Sequence, residues 1–292
     1  MNKLSQMIEA RYDVEANAAS FEERATRYLG GLPSCFQYRE ASAGSWSIEK
    51  MSGNAIACSA YFTGLMMVPP SVRLMRGEEL WMSLAPMEIE SQFPHFAAAA
   101  DHCKDGKGVL IAGLGLGYMV GQFCNMARKG QIDGPIVVLE RDCDVVECFL
   151  RSLRPVDLDM LNECHVDIVS GVDALTWKSE DEFGLITADI WLTLNSEEAR
   201  TETRMMAENI PNHDAISWWG AELDYLGWMS ENYEVAGNEG PDTWADYCEA
   251  VGMKVYGKAG FLETREFYDD CLSAAMASLD RANLTQSHGL TF

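Results

Sequence analysis

Basic residues are scarce in this chain. Lysine and arginine number 22 against 45 aspartates and glutamates, which gives a formal net charge of −23 over 292 residues. A field of that sign repels phosphate backbones, and without a local basic patch it excludes nucleic acid as a partner. No such patch exists, since the densest basic spots, Arg24 with Arg27 and Arg151 with Arg154, are sparse. Two readings of the acidity remain open, a well-solvated surface or a cationic substrate such as a polyamine. Long apolar runs are also missing. None reaches the ~18 residues that a membrane span requires, and residues 1–10 lack the apolar core of a secretory signal. The nine cysteines form no C-x-x-C pair, and neither His102-Cys103 nor Cys164-His165 has zinc-finger spacing. These absences point to free thiols in a reducing, cytoplasmic setting, with no metal centre and no membrane partner.

The length suits one large domain, or one core with a smaller appended unit. A hydrophobic content of 48% is ample for a packed interior. The chain is organised around residues 108–118. There an apolar run leads into Gly113, Gly115 and Gly117, and a helix-compatible segment follows at once. Such a run reads as a parallel strand buried on both faces. Glycines at a strand-to-helix turn let backbone N–H groups approach a ligand, and the helix N-terminus adds partial positive charge. The spacing is G-x-G-x-G, with Tyr118 at the third glycine position of the dinucleotide pattern G-x-G-x-x-G. Gly115 is the middle glycine, where a side chain would enter the ligand's space.

Three more apolar runs follow, at 135–140, 165–170 and 183–191, and turn or helical segments separate them. Glu140 closes the first, where a carboxylate can accept ribose hydroxyls. Asp173 and Ala174 follow the second, and Asp189 stands near the end of the third. Alternation of this kind predicts an α/β fold, a doubly wound, Rossmann-like, mostly parallel sheet with a ligand crevice at its carboxyl edge.

On these residues the chain resembles the class I S-adenosylmethionine-dependent methyltransferases, and within them the spermidine-synthase-like branch. Gly113, Gly115 and Gly117 match the glycine-rich first motif of that superfamily, and Glu140 its ribose-binding acid. Asp173 with Ala174 matches the Asp-Ala pair beside the adenine, and Asp189 the acid ending the fourth strand. The resemblance covers about residues 107–220 and implies S-adenosylmethionine as cofactor. Two positions depart from it. Ile111 stands where many members carry an acid two places before the first glycine. Leu192 stands where aminopropyltransferases carry a second aspartate, and their Tyr-His-Glu stretch is reduced to Glu88 or Glu90 with Gln92. Methyl transfer to a small molecule or a protein side chain therefore ranks above aminopropyl transfer. A non-catalytic nucleoside-binding or interaction protein is the third reading. No Asn-Pro-Pro-Tyr, Asp-Pro-Pro-Tyr or Pro-Cys signature of a DNA methyltransferase occurs.

The expected organisation is a helical segment at 1–33, a small β unit with a connecting helix at 34–104, the cofactor-binding core at 105–235 and a helical extension at 236–292. A hairpin is predicted from 71–75 and 80–84, and a fifth strand from 215–220. Ser196 is the predicted N-cap of the helix after the fourth strand. Expected in the acceptor pocket are Asp189 as the catalytic group, and Glu88, Gln92 and Trp191 as substrate contacts. Each has a simpler alternative: Asp189 could cap the next loop, the glutamates could serve a helix dipole, and Trp191 could pack in the core with Trp218 and Trp219. A homodimer remains open as the assembly.

Overall fold

The structure is a computed structural model, and it describes residues 13–233 and 243–288, with side chains to residue 278. The first part of the predicted N-terminal helix and the expected boundary at 235–236 lie outside the described residues. Helix α1 (Val14–Leu29) begins at Asp13, whose carboxylate accepts from Ala16 N–H at 3.0 Å, and ends at Gly30 with φ 66°. Seven short elements follow. They are β1 (Ala41–Ala43), β2 (Trp46–Lys50), β3 (Ile56–Ser59), β4 (Leu65–Val68), β5 (Val72–Arg76), β6 (Glu79–Ser83) and helix α2 (Pro86–Ser91). Strands β1-β2-β5-β6 form an antiparallel sheet in that order, and β3 pairs with β4 alone. The predicted hairpin is the β5–β6 pair.

Helix α3 (Phe93–His102) leads into the main sheet. Its parts are β7 (Gly108–Ala112), α4 (Tyr118–Arg128), β8 (Ile136–Glu140), α5 (Cys143–Ser152), α6 (Pro155–Glu163), β9 (Val166–Ser170), β10 (Phe183–Ala188), α7 (Ala199–Asn209), β11 (His213–Trp218) and α8 (Ala221–Asn232). Five strands in the order β11-β10-β7-β8-β9 run parallel throughout. Every residue of β7 and β10 is buried, as expected of central strands covered on both faces. The predicted alternation thus closes into the predicted Rossmann-like sheet. Among the described residues no sixth strand forms. Instead residues 254–256 run beside β11, with Ile216 N–H donating to Lys254 O and Tyr256 N–H to Ile216 O, each at 3.0 Å.

Several boundaries differ from expectation: the run at 183–191 is a strand only to Ala188, and β11 ends at Trp218 rather than Gly220. Strand β11 begins at His213 rather than Ala215, because Phe183 N–H bonds Asn212 O and pairing starts there. Helix α7 is capped at Glu198, not Ser196, and the Ser196 hydroxyl donates to the Glu198 carboxylate instead of accepting from a backbone N–H.

One apolar core runs through these layers, from Ala25 of α1 past Trp46 and Leu110 to Phe267 of the last helix, α10 (Arg265–His288). Helix α9 (Trp244–Val251) precedes α10. Buried Asp270 ties α10 to α1, accepting from Arg24 Nε at 2.6 Å, Tyr28 OH at 2.9 Å and the Arg27 guanidinium. Among the described residues no helix is long and apolar enough to cross a membrane. Removing one partner of a buried charge pair costs about 3 kcal/mol or more, because the other charge stays desolvated. Asp270→Ala strands two arginines, so it should lower the melting temperature by several degrees. A melting curve superimposable on that of the parent would refute this role.

Candidate functional site

The strand order reverses direction beside β7: β8 and β9 extend to one side, and β10 and β11 return to the other. Ligands in open α/β sheets bind at such a switch point, outside the carboxyl ends of the strands. Here β7 gives way to Gly113 and β10 to Asp189, and the two ends touch. Asp189 N–H bonds Ala112 O at 2.9 Å, and a Cβ on Gly113 would lie 2.2 Å from the Asp189 carbonyl oxygen. Above this junction lies a cavity of about 570 Å³, within the range of small-ligand sites.

The glycine turn forms its floor. Gly113, Gly115 and Gly117 all have positive φ, at 97°, 51° and 71°, a region that side-chain-bearing residues rarely adopt. Gly117 stands at the start of α4 with no side-chain cap, and its own Cβ would strike the Phe149 ring at 2.4 Å. Glu140, at the tip of β8, grips the turn. One carboxylate oxygen accepts from Leu114 N–H at 3.0 Å and the other from Asp142 N–H at 2.8 Å. Each oxygen keeps a lone pair for a ligand hydroxyl. Asp173 closes that side, where its Oδ1 accepts from Leu175 N–H at 3.0 Å and Ala174 is buried beneath it.

The opposite wall comes from the N-terminal sheet. Leu74 pairs with Met82 and Met75 with Leu80, which leaves Trp81 as an extra, bulged residue. A regular strand shows alternate residues to one face, whereas a bulge re-aims side chains. Leu80, Trp81 and Met82 consequently all line the cavity. Trp81 meets Trp46 edge to face at 5.0 Å, and the Trp46 Nε1–H donates to Asp142 at 2.8 Å. The Arg76 guanidinium lies 5.4 Å and 5.8 Å from the two rings.

Helix α2 and the end of β10 place the acids. Gln92 Nε2 donates to Asp189 Oδ2 at 3.0 Å, and Ser83 N–H donates to Glu88 Oε2 at 2.8 Å. The Gln92 carbonyl oxygen is buried and has no hydrogen-bond partner among the described residues. Desolvation in the pocket wall pushes Asp189 up to about 7, opposed by the Gln92 bond. Desolvation pushes Glu88 up to about 8, opposed by the Ser83 bond and reinforced by the charge of Asp189.

Gly113, Gly115, Glu140, Asp173, Ala174, Glu88, Gln92, Asp189 and Trp191 all face one cavity, and Gly117 supports the turn from behind. Some alternatives fail. Asp189 takes its side-chain bond from Gln92 rather than from a loop N–H. Others hold in part: Trp191 lines the cavity and also packs against the core, its Nε1–H held by Glu202 at 2.7 Å, while Trp218 is core and Trp219 spans both settings through Ser91 at 2.8 Å. Glu90 turns away from the pocket to accept from Phe62 N–H at 2.7 Å, Thr63 N–H at 2.8 Å and the Thr63 hydroxyl. Gly115 also departs from expectation, since a side chain there would first meet Met82, whose sulfur lies 2.3 Å from the Cβ position. Sequence reasoning passed over Met82, Trp46, Trp81 and Arg76. The bulge that gathers them has no glycine or proline to mark it.

No protein-family model matches the sequence, and no curated protein matches it. Among solved structures, the SAH-bound Podospora anserina methyltransferase PaMTH1 aligns with 67% of this chain and 69% of its own, at 16% identity and a TM-score of 0.32. MNMC2 from Aquifex aeolicus aligns over 91% and 92% at 10% identity and a TM-score of 0.35. A Thermoplasma acidophilum protein described as a methyltransferase matches 37% of this chain at 18% identity and a TM-score of 0.27, and the chain spans 41% of that protein's length. At such scores the fold assignment rests on the strand order described above, not on these likenesses.

Glu88 and Asp189 hold their protons to higher pH in the folded chain than in the unfolded one. Between the ordinary 4.5 and about 8 for Glu88, the folded state therefore binds more protons, and this contribution to stability falls as pH rises. Glu88→Gln removes the titrating group and keeps an acceptor for Ser83 N–H. Its stability gain over the parent should grow from pH 4.5 to pH 8 in urea titrations; a pH-independent difference would contradict the assignment.

Proposed function

We propose that this protein is an S-adenosylmethionine-dependent methyltransferase whose acceptor presents a nitrogen. The observation that carries this reading is the convergence of three acceptors beside the glycine turn: the Asp189 and Glu88 carboxyls and the unpartnered Gln92 oxygen. A buried acceptor without a donor costs free energy. Two carboxyls with one donor each and a side-chain oxygen with none suit an ammonium group, which has several donors and no acceptor. Trp191 adds a ring to this wall, while the Trp46 and Trp81 rings already carry the Arg76 guanidinium.

The cofactor side fits the same reading. Glu140 has lone pairs to spare for ribose hydroxyls, and the positive-φ glycines keep the turn free of side chains of its own. Asp173 and Ala174 would flank the adenine, and the cofactor would supply an electrophilic methyl group. This chain's own residues would hold the acceptor in line, exclude water and remove one proton. Proximity and orientation carry most of such a reaction. Asp189, with its pKa near the working pH, is the base for the acceptor nitrogen, and Glu88 is the second anchor.

Aminopropyl transfer, as in spermidine-synthase-like enzymes, draws less support. Leu192 is about half exposed at the cavity rim, where it can neither bind nor deprotonate an amine. A non-catalytic nucleoside-binding protein would have no use for the acid cluster.

Calorimetry with S-adenosylmethionine, S-adenosylhomocysteine and decarboxylated S-adenosylmethionine separates the three, with the first two expected to bind and the third to bind weakly. Asp189→Asn should retain cofactor affinity and lose about 10²–10⁴-fold in turnover, the usual contribution of a general base. Parent turnover should rise with pH through about 7 as Asp189 gives up its proton, and that limb should vanish in the variant. Undiminished turnover in a folded Asp189→Asn protein would remove Asp189 from the chemistry.

A further inference from the structure

The glycine turn is held by a residue that the proposed chemistry does not use. Leu116 N–H, just ahead of the eleven-residue helix α4, donates to the Met82 sulfur at 3.0 Å. The same sulfur fills the space over Gly115, 2.3 Å from where a Cβ would lie. A ligand approaching the turn from the cavity meets Met82 first.

The partner is a poor one for its position. A thioether is a weak acceptor, and N–H groups at a helix start favour an anion through the positive end of the dipole. Methionine is also the apolar side chain that moves most easily, with three rotatable bonds and no branch. The bulge at Trp81 leaves Met82 on the cavity side of β6, next to half-exposed Leu80. A side chain that can swing therefore holds a donor that an anion would hold better. We infer that Met82 is a displaceable stopper: its sulfur satisfies Leu116 N–H in the free protein and yields that donor to the carboxylate of the bound cofactor. This rests on the cofactor reading above, because the carboxylate is the anionic group that S-adenosylmethionine and S-adenosylhomocysteine carry. An oxygen anion makes the stronger, charge-assisted bond, so the exchange favours the bound state.

The test uses the full chain labelled at its methionine methyl groups. Among 16 methionines, the Met82 signal is assigned by its loss in Met82→Leu, which keeps bulk and removes the acceptor. S-adenosylhomocysteine should shift the Met82 methyl resonance; 5′-methylthioadenosine, which lacks the carboxylate, should bind without shifting it. Met82→Leu no longer competes for Leu116 N–H, so it should bind S-adenosylhomocysteine about fivefold more tightly, the worth of one ordinary hydrogen bond. Its affinity for methylthioadenosine should be unchanged. Weaker binding of S-adenosylhomocysteine by Met82→Leu would make Met82 a ligand contact and overturn the inference. Binding with an unmoved Met82 signal and equal affinities would overturn it while leaving the cofactor reading intact. Failure of both proteins to bind either ligand would overturn the cofactor reading, and the stopper with it.

Discussion

One constraint in the site falls on two pieces of backbone. Where β7 and β10 end, Gly113 leaves room for the Asp189 carbonyl, which any Cβ would meet at 2.2 Å. That contact lets Asp189 N–H bond Ala112 O and brings the strand ends flush. The turn above β7 and the acid beyond β10 then share one cavity. The alternating apolar runs that build the strands would bring the carboxyl ends near one another whatever followed. A glycine at this one place turns nearness into a common wall.

The other wall depends on a different device. A flat β6 would send Trp81 away from the cavity, and the bulge brings it in beside Leu80 and Met82. Trp46 of β2 then reaches across to Asp142, which also caps α5 by accepting from Asp144 N–H at 3.0 Å. Helix α5 carries the packing of β1 and β2 as well. The antiparallel sheet is thereby fixed to the same loop that Glu140 grips from inside. The N-terminal sheet and the glycine turn are consequently joined through a few short bonds.

This division explains how much could be read from the sequence. The main sheet was legible because buried parallel strands leave continuous apolar runs, and Gly113, Glu140 and Asp189 mark their ends. Four strands, the hairpin and the acids at the strand ends follow from local pattern, whereas Glu88 and Gln92 come only through the family resemblance, with Glu90 as an alternative. The second wall was not legible. Trp81 and Met82 read as an ordinary alternating strand, and a one-residue bulge turns both of them to the cavity. Ser196 misled for a related reason. Its type and place suit an N-cap, but its hydroxyl turned to Glu198, so the helix starts later. Residues 254–256 lie along β11 without the run of apolar residues that would announce a strand. Local chemistry proposes in each case, and a tertiary partner decides.

A raised carboxyl pKa would have been a poor guide by itself. Glu90, Glu222, Glu88 and Asp189 are all pushed up by burial. Glu222, at about 7, accepts one hydroxyl on each oxygen, from Tyr61 at 3.0 Å and from Tyr256, and it does not line the cavity of the candidate site. Glu90 takes three donors from Phe62 and Thr63. Both are structural acids whose burial is compensated. Glu88 stands two residues from Glu90 on the same helix, and residues two apart do not face each other. It therefore points into the cavity with one backbone donor, next to an Asp189 held by one amide and a Gln92 oxygen held by none. Folding alone does not account for this shortfall, since an apolar side chain at Glu88 or Asp189 would avoid it. Desolvated acids short of donors, gathered on a cavity wall, are what a cationic ligand would complete. The donor count, more than the shift, separates the site from the scaffold.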